Sequence, residues 1–461
     1  AVPDYQTIFN GESNSFKKRD QRIFRRMRPD DRVHLAEDRI FYYLNSVYTD
    51  CGGVNTKISM AFQREVINNI IPRIEPDLIH CNDWMTGLIP AMAKTMGIPC
   101  LFTIHNIHTV KSTLDFIEDR GIGAAYFWDN LYYDYPPADY RAAKQNVPVN
   151  LLASGIFAAD RVNVVSPEFL KEIVEGHHNF VDPHIRRELA NKYKTGCASG
   201  ILNAPEPSLN PEEDRSISCN YNCDTFIEAK KKNKLALQKT LGLIQDEEAA
   251  LFFWPSRLDP HQKGCHLLSD ILYQVISKYW YQNLQIVFVA NGEYQNVFKD
   301  IVRFHDFERR VAVCDFSEDL ERLGYAASDF MLMPSVFEPC GLPQMAAVKY
   351  GSVPIAHDTG GLHDTISHLD PENNSGNGFL FKTCDAPGLF WAIDQAMDFH
   401  ALAPEQKYPQ IRRIMKEGKE RFNYGNCISE YLKLYEIMLR RPVIQKPAIE
   451  FYGSQLEYAC I

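Results

Sequence analysis

The residues best suited to chemistry stand in short polar clusters, each closing an apolar run. SVFEPCGLPQ (Ser335–Gln344) brings a carboxylate, a thiol, a glycine and a proline together after DFMLMP. Glu338 could act as an acid, or it could hold neutral hydroxyl groups. Cys340 as a nucleophile would need a general base and a partner for that base. No local pattern supplies them, so a small packed contact residue is the plainer reading. Gly341 and Leu342 would offer free backbone N–H groups where a helix starts, and such ends attract anions. Pro343 has no N–H and suits the first helical turn. HDTGGLHDT (His357–Thr365) is a second turn of this kind, with Gly360 and Gly361 before a helix.

Two cations fall in PSRLDPHQKG (Pro255–Gly264). Arg257 offers a planar fork and Lys263 a point charge, a combination suited to phosphate oxygens. With the two helix starts they would ring a diphosphate, leaving Glu338 to face the neutral part of such a ligand. In the first half, HCNDW (His80–Trp84) and TIHN (Thr103–Asn106) close neighbouring runs. Asp83 stands where it could cap the following helix. Together Asp83 and His105 also supply the donors and acceptors that sugar hydroxyls need.

Several chemistries lack their patterns. GxxxxGK[ST] is absent, and no GxGxxG follows the first strand, which disfavours a nicotinamide site. No HExxH-like spacing points to a metal. HHNFVDPH (His177–His184) holds three His in a polar, loop-like stretch, so no metal and no cofactor is expected.

The elements that must position these clusters follow from periodicity. Strands are expected over Arg32–Asp38, Pro76–Asp83, Pro99–Asn106, Asp160–Pro167 and Ser199–Glu206. In the second half they fall in ALFFWPSRL, LQIVFVANGE, RVAVCDF, DFMLMPS, SVPIAHDT and GFLF. Short, β-branched runs bounded by turn residues read as buried parallel strands. Helical patterns such as MAFQREVINNIIPRI and MTGLIPAMAKTMG alternate with them, which implies βαβ units. The fold expected is α/β, with two doubly wound Rossmann-like domains facing a cleft. Ligands in such sheets lie beyond the carboxyl ends of the strands. The polar stretch NPEEDRSISCNYNCDTFIEAKKKN reads as a connector between the halves. The domains expected are 1–210, 211–430, and a C-terminal helix with tail, 431–461.

Composition sets outer bounds. The chain has 461 residues, 45% hydrophobic and 23% charged, with a net charge of −10 when His is neutral. That is ordinary for a globular protein and unlike a general nucleic-acid or membrane-surface binder. The basic run Lys17–Arg28 reads as a solvated face. Twelve Cys without a CxxC pair favour reduced thiols. No apolar run reaches about 18 residues, and no signal peptide is visible. The chain begins with Ala and without a clean element, which leaves two expectations open: a truncated sequence, or a protein that has lost an early element.

The ordered set HCNDW, TIHN, DRVNVVSP, GILN, SRLDPHQKG, FMLMPSVFEPCGLPQ and YGSVPIAHDTGGLHDT resembles bacterial glycogen synthases and plant starch synthases. The resemblance runs from about Arg32 to Leu439. It implies a GT-B fold and a retaining glucosyltransferase, with ADP-glucose (or UDP-glucose) as donor and an α-1,4-glucan as acceptor. It also implies a bacterial cytoplasm or a plastid stroma as compartment, with no nucleic-acid or membrane partner.

Matched position by position, Glu338 would hold the donor glucose, and Arg257 with Lys263 the diphosphate. His105 would lie at the donor sugar, with Asn106 beside it. Asp83 would line the acceptor side. Cys340, Gly341 and Leu342 would touch glucose and diphosphate, with Gly360 and Gly361 at the second turn. Phe316 would stack on the nucleobase. Three departures stand out. RLDPHQKG is one residue longer than the family's usual loop, Pro343 replaces a common Thr, and the family's KTGG loop is not in this chain. Two other readings therefore stay open: a weak or inactive glucan-binding scaffold, and a related transferase with a sugar-phosphate acceptor.

Overall fold

The computed structural model describes His34, Ala36, Asp38–Tyr42, Leu44, Thr49, residues 52–144 and residues 147–443. The basic run Lys17–Arg28, most of the strand expected over Arg32–Asp38, and the tail beyond 443 lie outside these residues. Within that span, Arg39–Phe41 forms one turn of 3-10 helix, with the Asp38 carboxylate accepting from Ile40 N.

The described residues form two compact units, those up to 102 with 107–161, and 103–106 with those from 162 onward. The division does not fall at the expected boundary of 210. Helix Pro167–Glu175 is tied by side-chain bonds to the turn before helix Gly360–Thr365, so residues after Val162 belong with the C-terminal sheet.

In the first unit, helix Gly52–Glu65 runs into a π-helical segment, Val66–Ile70, then Ile71–Ile74. Strand β1 (Ile79–Asn82) leads through a 3-10 turn to helix Ile89–Thr95, and β2 begins at Cys100 (Cys100–Ile104). β3 (Lys111–Thr113) and β4 (Pro148–Asn150) form an antiparallel pair. Their patterns are too short to show in the sequence.

In the second unit, β5 (Arg161–Val164) pairs in parallel with β6 (Ala198–Gly200) from Val162 onward. The main sheet has six parallel strands: β7 (Leu251–Trp254), β8 (Gln285–Val289), β9 (Val311–Cys314), β10 (Phe330–Met333), β11 (Val353–His357) and β12 (Phe379–Phe381). Their order is β12-β11-β10-β7-β8-β9, so the winding reverses between β7 and β10. All six expected runs became these strands. β7, β8, β10 and β11 are buried throughout, which is why they read as unbroken apolar runs rather than alternating ones.

The expected connector is a packed arm. Ile217, Tyr221 and Phe226 enter the core beneath the sheet. Tyr221 Oη donates to Tyr350 O at 2.8 Å, and Asn233 Nδ2 to Cys219 O at 2.8 Å. Helix Phe226–Leu241 follows, closed by Gly242 in the left-handed conformation, a common helix stop.

Candidate active site

The reversal between β7 and β10 is where an open parallel sheet leaves a crevice beyond its strand ends. Arg257 and Lys263 follow β7, and Glu338 follows β10. The longer loop RLDPHQKG is accommodated by a turn built on Asp259, whose Oδ1 accepts from His261 N and Gln262 N, both at 2.8 Å. Val336 N then donates to Gln262 O at 2.8 Å, joining this loop to the one after β10. Gly264 closes it at φ +66, and a Cβ there would lie 1.9 Å from Pro334 O. Only glycine suits that approach.

Lys263 Nζ therefore meets Glu338 Oε2 at 2.6 Å. Both residues are buried, and Ser335 Oγ donates to the same carboxylate oxygen at 3.0 Å. Ser335 O in turn accepts from His357 Nδ1 at 2.8 Å. The sequence separates Lys263 and Glu338 into different roles; in the folded chain they are one ion pair.

Gly341 has φ +70. The N–H groups of Gly341 and Leu342 donate to no acceptor among the described residues, and Leu342 is exposed. Pro343 opens helix Pro343–Lys349 as its type predicts. Gln344 clamps the turn from behind, its Nε2 donating to Cys340 O, Gly341 O and Thr365 Oγ1. Burial pushes the Cys340 thiol up to about 12, with the Asn203 backbone N–H offsetting part of that. A thiol held protonated in this way is unsuited to nucleophilic attack.

The second glycine turn differs from expectation. Gly360 N donates to Glu172 Oε1 at 2.9 Å, and Gly361 N donates to Glu338 O at 2.8 Å. Neither N–H is open to a diphosphate. A Cβ at Gly360 would lie 2.2 Å from Glu338 O, and one at Gly361 2.0 Å from Cys340 O. These glycines serve close packing of the two turns, and the acceptor that fills Gly360 comes from a helix far upstream.

Arg257 is exposed and has no side-chain partner among the described residues. With Phe316, Asn291, Gly292, Glu293 and Asp259 it lines a pocket of about 540 Å³. Phe316 is 51% exposed, and its backbone N–H is held by Asn291 Oδ1 at 3.0 Å. A flat ring free at the mouth of a pocket can stack on another ring.

His105 is half-buried, and Asn106 beside it is exposed. Asn203 Nδ2 lies 3.4 Å from His105 Nδ1. In the sequence Asn203 carries no signal of its own beyond ending the run SGILN, as His105 ends TI. Asp83 belongs to the other unit. It closes β1 at φ +56 and stands before the turn Trp84–Thr86 without capping it through its side chain. His177 faces Glu175 at 3.3 Å and His178 faces Glu172 at 2.8 Å. Among the described residues no three His, Cys, Asp or Glu converge to hold a metal ion. No described helix is long and apolar enough to cross a membrane.

The fold is shared with a known structure. The catalytic domain of starch synthase IV from Arabidopsis thaliana, solved with ADP and acarbose, superposes with a TM-score of 0.71. The match is at 27% identity and covers 83% of this chain and 77% of that one. The fold, with cations and a carboxylate at the reversal of its sheet, is that of a GT-B glycosyltransferase.

A starch synthase catalytic domain family matches residues 3–186, and group 1 glycosyl transferases match residues 249–398. Glycogen synthase of Lachnospira eligens is 34% identical over 379 residues, 78% of this chain and 73% of the relative. That of Clostridioides difficile is 32% identical over 397 residues, 81% and 75% of the two chains. The chain belongs to the glycogen and starch synthase family.

Proposed function

We propose that the protein transfers glucose from ADP-glucose to the nonreducing end of an α-1,4-glucan, with retention at the anomeric carbon. The observation that carries this reading is the Lys263–Glu338 pair between two strand ends, with the Phe316 pocket and Arg257 following the same β7 and β9 ends. In this reading the nucleobase stacks on Phe316. Arg257, Lys263 and the open N–H groups of Gly341 and Leu342 take the diphosphate. Glu338 accepts from the glucose hydroxyls, with Cys340 packed beside it. His105, oriented by Asn203, and Asn106 approach the donor sugar, and Asp83 serves the acceptor.

Double displacement would need a carboxylate free to attack the anomeric carbon. Glu338 is held by Ser335, and in this reading the glucose hydroxyls take the place that Lys263 leaves, which favours hydroxyl binding over attack. Front-face transfer follows: the leaving diphosphate takes the acceptor's proton while Arg257, Lys263 and the N–H groups stabilise its growing charge. The starch synthase IV relative was solved with ADP and acarbose, which supports a nucleotide-sugar donor and a sugar acceptor here.

The test is glucose incorporation from ADP-glucose and UDP-glucose, with glycogen and with glucose-1-phosphate as acceptors. Transfer to glycogen, preferring ADP-glucose and lost in Glu338→Ala and Lys263→Ala, is expected. Unchanged turnover in both variants would overturn the site. Preference for glucose-1-phosphate would favour the small-acceptor transferase, and glycogen binding without any turnover the scaffold.

A further inference from the structure

One side chain ties helix Pro167–Glu175 to the turn before helix Gly360–Thr365. Glu172 is only 7% exposed. Its Oε1 accepts from Gly360 N at 2.9 Å and Thr359 Oγ1 at 3.0 Å. Its Oε2 accepts from Thr359 Oγ1 at 3.2 Å and from His178 Nε2 at 2.8 Å. Three donors, one of them a hydroxyl shared between both oxygens, thus take up this buried carboxylate. Glu172 is therefore poorly placed to bind substrate itself.

Its effect passes onward through backbone. The next amide, Gly361 N, donates to Glu338 O at 2.8 Å. The space around both glycines is closed by the Glu338 and Cys340 carbonyls, so the turn cannot shift without moving the Glu338 loop. A second route runs through rings. His178, held by Glu172, lies 5.5 Å from Phe169 and 6.1 Å from Phe337. Phe180 packs on Phe337 at 4.2 Å. Phe337, next to Glu338, thus rests on a ring that Glu172 holds.

We propose that Glu172 is a positioning residue for glycosyl transfer. Its carboxylate fixes Thr359–Gly361, and through Gly361 it fixes where the Glu338 carboxylate meets the donor sugar. It also fills the anion position at Gly360, so the diphosphate is held by the β7 loop and the Gly341 turn alone. This rests on the sugar-donor reading above, but the link from Glu172 to the Glu338 loop can be tested without it.

The experiment uses the full chain as wild type, Glu172→Ala, Glu172→Gln and Glu172→Asp. Transfer kinetics, ADP binding by calorimetry, and amide exchange of the 335–341 segment are measured for each. Glu172→Ala should lower kcat at least tenfold while the Kd for ADP changes less than threefold, because the nucleotide contacts lie elsewhere. Gln keeps an acceptor for Gly360 N and should restore kcat to within about threefold. Asp, one methylene shorter, should not. Exchange of 335–341 should quicken in the Ala variant. Wild-type kcat in Glu172→Ala, or a loss that Gln fails to relieve, would overturn the proposal. Failure of the Ala variant to fold leaves the Gln and Asp pair to decide it. If wild type transfers no glucose from either donor, the transferase reading fails. The exchange measurement then still decides the link, and unchanged exchange overturns it.

Discussion

Lys263 and Glu338 are each easy to pick out in the sequence, being charged residues just beyond apolar runs. Their pairing is not, because it depends on how the Asp259 turn and the loop after β10 meet. A buried pair is costly to break from one side: removing one partner strands the other's charge, at about 3–5 kcal/mol. Lys263→Ala and Glu338→Ala should each lower stability measurably in urea unfolding. The double variant should be less destabilised than the two singles summed, since neither charge is then left alone.

The open N–H groups expected at Gly360 and Gly361 also fail at this scale. The acceptor for Gly360 lies 188 residues away in sequence, beyond any local pattern. Glu172 has a pH signature too. Burial raises its pKa, but the His178, Gly360 and Thr359 hydrogen bonds outweigh that and leave it below the ordinary value of 4.5. A depressed carboxylate contributes stability above its unfolded value and loses it as pH falls through the folded one. Amide protection of the 358–361 turn should therefore fall below about pH 4.5. It should not change with pH over that range in Glu172→Gln.

At the scale of elements, the six strands of the main sheet were legible because both faces are covered, so apolar runs are continuous. The arm over 210–225 was not. Its polar composition hides Ile217 and Tyr221, and these, not the average, decide its fate. Lys230 fixes the helix after this arm. Its Nζ donates to Ala326 O, Ser328 O and Tyr350 O at 2.8 to 3.1 Å. Lys230→Met keeps the packing but leaves buried carbonyls short of a donor, and should cost about 2–4 kcal/mol in urea unfolding. Gly361→Ala acts between two turns instead. The new methyl meets the Cys340 carbonyl, so glucose transfer should fall at least tenfold, with a smaller loss of stability, because the two turns must part.

For the whole molecule, the order of strand-end motifs carried the family across nearly the full chain, and the relatives bear that out. The division into compact units was less legible. It follows which helices hold which turns, and Pro167–Glu175 is held by a turn after β11. Nucleotide binding is also a property of the folded whole. A ligand at 100 times its Kd stabilises by about 2.7 kcal/mol. ADP should therefore raise Tm in a concentration-dependent way, and UDP less. Arg257→Ala and Phe316→Ala should each shrink that rise while leaving the unliganded Tm within about one degree, since surface changes are usually small.

In the proposed reading, the contact between Lys263 and Glu338 makes the two halves of a donor cooperate. A diphosphate that draws Lys263 away leaves Glu338 unpaired, and a sugar hydroxyl then finds an acceptor already released. A whole sugar nucleotide separates the pair once and compensates both partners. After the sugar departs, the nucleotide alone still holds the pair apart, and Glu338 keeps only the Ser335 hydroxyl. Reclosure of Lys263 onto Glu338 then favours release of the spent nucleotide, so ADP should inhibit less than its share of the donor's contacts would suggest.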